Sequence, residues 1–249
     1  MTKRVVIHSD SDALARTTAA RLLVTLIDLC AVQDRVDVVL TGGTVGIRTL
    51  AMAAQNPIVR DVDWSIVHVW WGDERFVAKD SPERNARQAY EALLADLPLP
   101  AGNIHEVSST DDGIDVDEAA QRYARDLQLA HSDKSGLNFD VLLLGMGPDG
   151  HVASLFPGHP DAMTSGVAVG VHDSPKPPPS RVSLTYDAIN AARRVWVIAA
   201  GEEKAPAVAQ ALVSVDPVSL PASAVCGVVE TLWLIDASAA SAIEVAEVP

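Results

Sequence analysis

The chain has 249 residues, of which 48% are hydrophobic and 21% charged, so it holds enough apolar sequence for a folded α/β domain and is not of disordered composition. Its formal net charge of -14 at pH 7 argues against nucleic acid and membrane surfaces as partners, because both are usually bound through basic patches. A small anionic molecule remains compatible with this charge, provided that lysine and arginine side chains cluster at one place.

Strand and helix patterns alternate along the whole sequence. The predicted strands are 5–7, 36–40, 66–71, 139–144, 167–171, 181–184, 194–199 and 231–235. The predicted helices are 13–29, 47–54, 85–94, 114–129 and 205–213. This alternation predicts an α/β fold with helices on both faces of a mostly parallel central sheet. No linker rich enough to divide the chain is present, so we expect one domain over residues 1–249.

The two cysteines and the first residues bear on where the protein works. Cys30 and Cys226 both lie in apolar patterns, which predicts two buried thiols, and no Cys/His cluster suggests a metal site. The short apolar run at 5–7 is typical of a first strand and not of a signal peptide. No apolar stretch approaches the length of a membrane span, so a cytoplasmic protein is expected.

The most informative stretch follows the predicted strand 139–144. Glycines end this strand abruptly, and Asp149 and His151 follow with one glycine between them. Ligands of open parallel sheets bind outside the carboxyl ends of the strands, so this position favours an enzyme that uses a histidine. Gly145, Gly147 and Gly150 also match the dinucleotide fingerprint G-x-G-x-x-G. That alternative is disfavoured because Pro148 and Pro157 leave little room for the helix the fingerprint requires.

Two further strand ends carry polar residues. A strand leads into TGGT at 41–44, where glycines and a helix N-terminus favour an anion; a plain strand-to-helix turn is the alternative. The strand 66–71 leads into GDER at 72–75, which is either a solvated loop or part of a site. A single sheet would bring these ends and the Asp149–His151 stretch to one edge.

Positive charge near this edge could come from Arg181 and Lys204. Arg181 begins a strand after the proline-rich segment 174–180, which we interpret as a stiff loop beside the site. Lys204 lies at the start of a helix, where its charge opposes the helix dipole unless an anion offsets it. A solvated surface lysine is the alternative for Lys204.

Taken together, these motifs resemble the family that joins 6-phosphogluconolactonases with glucosamine-6-phosphate deaminases. The motifs are LTGG at 40–43, WGDER at 71–75, SPERN at 81–85, GMGPDGH at 145–151, PPPSRVSLT at 177–185 and GEEK at 201–204. The resemblance covers nearly the whole chain. It implies a modified Rossmann-like three-layer α/β/α sandwich and a sugar-6-phosphate ligand.

The two branches of this family differ in chemistry, and the residues favour the lactonase branch. The deaminase motif resembles Asn-Glu-Pro-Gly, whereas Phe156 stands here in place of the glutamate and cannot relay a proton. Asp73 is followed by Glu-Arg, the lactonase form, in place of Glu-Tyr. The chain departs from the family where Gly46 replaces the proline of the first loop, which leaves the exact phosphate donors open.

The resemblance therefore implies hydrolysis of 6-phospho-D-glucono-1,5-lactone to 6-phospho-D-gluconate, the second step of the oxidative pentose phosphate pathway. His151 would be the general base and then the acid. Asp149 would orient the site, Arg75 would stabilise negative charge, and Asp73 would be the base if His151 were not. The phosphate would be held by Gly42, Gly43, Thr44, Arg181 and Lys204.

We expect no metal, no cofactor and no covalent acyl-enzyme, since no serine lies in a nucleophile elbow. The expected partner is the sugar-phosphate lactone alone, and the expected state is a monomer. Two alternatives remain open: a glucosamine-6-phosphate deaminase or other sugar-phosphate isomerase, and a sugar-phosphate sensor without catalysis.

Overall fold

The structure is a computed structural model that describes residues 3–132 and 136–243. The strands are β1 (Lys3–His8), β2 (Val36–Leu40), β3 (Val67–Trp71), β4 (Asp73–Arg75), β5 (Val141–Gly145), β6 (Ala168–Val171), β7 (Arg181–Leu184), β8 (Arg194–Ala199) and β9 (Glu230–Asp236). The α-helices are α1 (Ser11–Cys30), α2 (Thr44–Ala54), α3 (Asn85–Ala92), α4 (Val116–Ala130), α5 (Tyr186–Asn190) and α6 (Ala205–Val213). Short 3₁₀ turns lie between several of these elements.

Six strands form one parallel sheet in the order β1-β9-β8-β5-β2-β3. Alternate side chains of a strand point to opposite faces, so each face of the sheet is buried under its own helices. Helices α1, α2 and α3 share one apolar cluster with the sheet, and α4, α5 and α6 share the other. The expected three-layer sandwich with a mostly parallel sheet is confirmed.

Strand order reverses beside β2, and this reversal positions the site. β2 pairs with β3, the next parallel strand along the chain, while β5 pairs with the opposite edge of β2. The carboxyl ends of β2 and β5 therefore border the switch point where ligands of open α/β sheets bind. The predicted strand ends near residues 41, 72 and 145 are neighbours at this edge, as expected.

A second, antiparallel sheet was not predicted from the sequence. It has the order β4-β7-β6, and β4 follows β3 after the single residue Gly72. The segment 73–75, which could have been a solvated loop, is instead a strand paired with β7. This pairing places Asp73 opposite Ser183 and Arg75 opposite Arg181. Two arginines from distant parts of the chain thereby become neighbours.

Most predicted boundaries of helices and strands lie within three residues of the observed ones.

The prediction that both cysteines are buried is partly wrong. Cys226 is exposed in the loop before β9, and Cys30, the last residue of α1, is only half-buried although it packs against one of the two apolar clusters. In the part of the chain that the structure describes, no helix is both long and apolar enough to cross a bilayer. Trp70 and Trp71 lie fully inside the core on β3.

Candidate active site

A pocket opens at the switch point of the parallel sheet. The Thr41 hydroxyl links the loop after β2 to the end of β5, since Oγ1 accepts a hydrogen bond of 3.0 Å from the Gly145 N–H. All of the predicted site residues except Asp149 line this pocket. The lining residues are Thr41, Gly42, Gly43, Thr44, Val45, Asp73, Arg75, Asn85, Gly145, Met146, Gly147, His151, Ala153, Arg181 and Lys204.

Asp149 lies behind His151 and holds its ring. The His151 Nδ1 is 2.6 Å from Asp149 Oδ1, so one proton lies between them and Nε2 is left as the second ring nitrogen. Burial works to raise the pKa of Asp149, but its hydrogen bond to His151 and the charges of His151 and Lys176 hold that pKa well below the ordinary aspartate value. The carboxylate is therefore available as a permanent acceptor for Nδ1–H.

The glycines that match the dinucleotide fingerprint form a tight turn around His151 instead. The Gly147 N–H donates to the His151 carbonyl, and the Gly150 N–H donates to the Gly147 carbonyl, which closes a tight turn. A Cβ atom on Gly147 would lie 2.0 Å from His151 Cε1, so only glycine leaves space for the ring. No helix follows before Pro160, and the dinucleotide alternative lacks the element it needs.

Phe156 supports the other side of the site. Its ring centroid is 4.7 Å from that of His151 and 5.7 Å from the Arg181 guanidinium carbon. The side chain is fully buried. An apolar ring therefore occupies the position where the deaminase motif carries a carboxylate, and it packs against the histidine without exchanging a proton with it.

The loop at 41–44 ends at the N-terminus of an eleven-residue helix. Gly43 is the N-cap of α2, with φ at +78°, and no side chain caps the free N–H groups. These N–H groups and the positive end of the helix dipole favour an anion at this position. The cationic side chains that line the same pocket strengthen this preference for an anion.

Three cationic side chains and one carboxylate line the pocket, although the whole chain is strongly acidic. Burial lowers the pKa of Lys204, which indicates an ammonium that has lost water. Within residues 3–132 and 136–243, Lys204 forms no salt bridge. The cluster of basic residues that an anionic ligand requires is therefore present, with Arg75, Arg181 and Lys204 as its members.

Arg181 has a different immediate role from the one expected. Its Nη2 and Nε atoms donate to the carbonyls of three consecutive loop residues, Lys176, Pro177 and Pro178, at 3.0–3.2 Å. Its Nη1 atom lies 3.9 Å from Oδ2 of Asp73, another residue that lines the pocket. Arg181 thus anchors the proline-rich loop and contributes charge to the pocket at the same time.

Asn85 and Glu74 are important to the site but were not singled out from the sequence. The buried Asn85 amide donates to the Asp73 carbonyl and lies against Gly42, where a Cβ would come within 1.9 Å of Asn85 Oδ1. Glu74 is fully buried and accepts from the N–H groups of Arg75, Asn85 and Ala86. Because these contacts join separate elements, the signals that could have indicated them are the WGDER motif at 71–75 for Glu74 and the SPERN motif at 81–85 for Asn85.

Asp73 is held by several partners on the pocket wall. Its Oδ2 accepts a hydrogen bond of 2.7 Å from the Ser154 hydroxyl, and Oδ1 lies 3.4 Å from Asn85 Nδ2. Its side chain is largely buried. These contacts fix the position of the Asp73 carboxylate on the pocket wall.

The fold and the site define a class of α/β proteins with a cationic pocket at the switch point of a parallel sheet and an Asp–His pair at its rim. Comparison with known proteins narrows this class. The chain belongs to the family of glucosamine-6-phosphate isomerases/6-phosphogluconolactonase, whose model matches residues 9–233.

Similar proteins are found on both branches of the family. The chain is 47% identical over 246 residues to a 6-phosphogluconolactonase of Streptomyces coelicolor, covering 96% of this chain and 94% of that protein. It resembles the crystal structure of a Thermotoga maritima 6-phosphogluconolactonase with a TM-score of 0.82 and 27% identity, over 94% and 100% of the two chains. A monomeric glucosamine-6-phosphate deaminase shares the fold alone, with a TM-score of 0.79 and 19% identity, over 96% and 99%. The fold therefore does not distinguish the two activities.

Proposed function

We propose that this protein hydrolyses 6-phospho-D-glucono-1,5-lactone to 6-phospho-D-gluconate, the second step of the oxidative pentose phosphate pathway. The observation that carries the proposal is the pairing of His151 with Asp149 at the rim of a cationic pocket, with Phe156 behind the ring. The high identity to proteins named 6-phosphogluconolactonase supports the same activity. We propose further that residues 1–249 form one domain and that the protein is a cytoplasmic monomer that needs no metal and no cofactor.

The reaction adds water across a cyclic ester. The oxygen of water forms a bond to the carbonyl carbon, the bond from that carbon to the ring oxygen breaks, and one proton passes from water to the ring oxygen. His151 suits both transfers, because its Nδ1–H is fixed on Asp149 and Nε2 has the free lone pair. It takes the proton from water first and returns it to the departing oxygen.

Charge on the substrate is matched by the cationic side chains. We assign the 6-phosphate to the loop residues Gly42, Gly43 and Thr44 at the N-terminus of α2, with Lys204 and Arg181 as counter-charges. Arg75 is assigned to the negative charge that develops on the carbonyl oxygen. Asp73 is held by Ser154 and Asn85 and would orient the sugar.

Two assays on the purified chain distinguish this reaction from its alternatives. With freshly made lactone, we expect release of 6-phosphogluconate well above the spontaneous rate measured in the same buffer. With glucosamine 6-phosphate, we expect no ammonia, because Phe156 supplies no carboxylate. Ammonia release at a rate rivalling lactone hydrolysis would replace the proposal with the deaminase. Binding of the lactone without turnover would indicate a sensor.

Removal of the pocket ammonium tests the phosphate assignment. Lys204→Ala is expected to raise KM for the phosphorylated lactone about tenfold or more, since a charge-assisted hydrogen bond contributes roughly 1.5–3 kcal/mol. KM for the unphosphorylated lactone should rise much less on the same substitution. Lys79→Ala, at an exposed lysine outside the pocket, is the matched control. An equal rise in KM for both lactones would show that Lys204 supports the structure of the pocket and does not bind the phosphate.

The corresponding change at Arg181 should have a mixed effect. Arg181→Ala removes a pocket charge and also releases three loop carbonyls, so it should raise KM for both lactones. The difference between the rise in KM for the phosphorylated lactone and the rise for the unphosphorylated one measures the contribution of the phosphate contact alone.

A further inference from the structure

Lys176 reaches the Asp149–His151 pair from the proline-rich loop. Its Nζ lies 3.4 Å from Asp149 Oδ1 and 3.2 Å from His151 Nδ1. The Asp149 oxygen is the same atom that accepts from the histidine. An ammonium can only donate, and Nδ1 already donates to Asp149, so Lys176 bonds to the carboxylate and acts on the ring by its charge.

The backbone of Lys176 is fixed in a way that an ordinary surface lysine does not require. Its N–H donates to the Ser174 hydroxyl at 3.3 Å, and its carbonyl accepts from that hydroxyl and from Arg181 Nη2, each at 3.0 Å. The Ser174 N–H donates to the Pro179 carbonyl and closes the loop. The loop is thus built around contacts that hold Lys176 beside the pair.

We propose that Lys176 is a positioning residue of the reaction: it holds the Asp149 carboxylate in place and opposes the effect of that carboxylate on the His151 ring. This inference rests on the proposed function, in which His151 is the base. Asp149 alone would favour the protonated ring, which cannot accept a proton from water. A cation at 3.2 Å from Nδ1 acts in the opposite direction, because its like charge disfavours the addition of a proton to the ring.

The other groups around His151 do not replace this contribution. Phe156 covers one side of the ring with an apolar surface, and His159 lies beyond it, with ring centroids 6.5 Å apart. Arg75, Arg181, Lys204 and Asp73 line the pocket, but none forms a hydrogen bond or salt bridge with His151 among the described residues. In the part of the chain that the structure describes, the side chains within hydrogen-bond distance of the His151 ring nitrogens are those of Asp149 and Lys176.

The test is Lys176→Met, which keeps a long side chain and removes the charge. The proton affinity of the ring should rise, so the acid limb of kcat/KM should move to higher pH by about one unit, the lower end of the effect of a nearby charge because Lys176 is partly solvated. Lactone hydrolysis on the acid side of this limb should fall about tenfold relative to the parent. Lys176→Arg should restore the parental limb, and Lys79→Met, at an exposed site, should leave it unmoved.

A second readout does not depend on activity. Imidazole NMR titration of the free protein, with the His151 signal assigned by its loss in His151→Asn, should show the same upward movement in Lys176→Met. Movement in the titration supports the inference even if the parent fails to hydrolyse the lactone, so the two proposals can fail separately. An unmoved titration overturns the inference, and so does a uniform loss of rate with an unmoved acid limb.

Discussion

Replacement of His151 by asparagine is expected to lower kcat for lactone hydrolysis by about 10²–10⁴, the usual contribution of a general base. Asparagine roughly preserves size and hydrogen bonding but cannot accept a proton. The residual side chain can still donate to Asp149, so the turn between Gly147 and Gly150 should persist. KM should change little, because the phosphate is assigned to groups on other loops.

The control for this variant is His172→Asn, the same substitution at an exposed histidine that lies outside the pocket lining. It should keep parental kcat. Parental enzyme should also lose kcat/KM on the acid side as the base takes up its proton, and His151→Asn should lose this limb. A folded His151→Asn protein with near-normal kcat at neutral pH would remove His151 from the mechanism. Asp73, which lies on the wall of the same pocket, would then be the base to test.

The architecture was accessible from sequence because the strands that form the sheet are short, continuous apolar runs. β2 and β5 are buried on both faces, and such runs are typical of parallel strands covered by helices. Each run ends in glycines or polar residues. Since parallel strands share one carboxyl edge, the runs alone predict which loops meet, and the pocket lies where they do.

The contacts that hold the site were not accessible in the same way. The small antiparallel sheet pairs Arg75 with Arg181, more than one hundred positions along the chain, and no local pattern encodes that pairing. Lys176 was noticed only as part of a stiff loop, because its reach to His151 depends on how Arg181 folds that loop back. Long-range pairing of polar groups is a property of the tertiary structure and leaves no periodic signal.

Glu74 shows the same limit in a single side chain. Three consecutive charged residues at a strand end usually indicate a solvated loop, yet Glu74 is fully buried. Its carboxylate caps the N-terminus of α3 by accepting from Asn85 and Ala86, and it lies 3.7 Å from the buried Arg84 guanidinium. The Glu74 carboxylate, which the sequence pattern predicts to be solvated, is instead a buried cap of α3.

Glu74→Gln is therefore expected to destabilise the fold strongly. The amide would turn one NH₂ group towards backbone N–H donors, and Arg84 would lose a nearby counter-charge. Each buried polar group left unsatisfied costs about 1–3 kcal/mol, so we expect a loss of roughly 3 kcal/mol in the free energy of unfolding. In a chain of this size, that loss should lower Tm by about 6–12 °C, measured by calorimetry or circular dichroism.

The matched control is Glu83→Gln, the same change at an exposed glutamate just before α3. It should stay within about 0.5 kcal/mol of the parent, as surface substitutions do. The effect of Glu74→Gln should also reach the pocket, because Glu74 holds the Asn85 N–H and Asn85 lies against Gly42 in the phosphate loop. KM for the phosphorylated lactone should rise at temperatures where the variant is still folded. A parental Tm in Glu74→Gln would mean that the backbone of α3 needs no carboxylate cap, and the pocket wall would then depend on Asn85 alone.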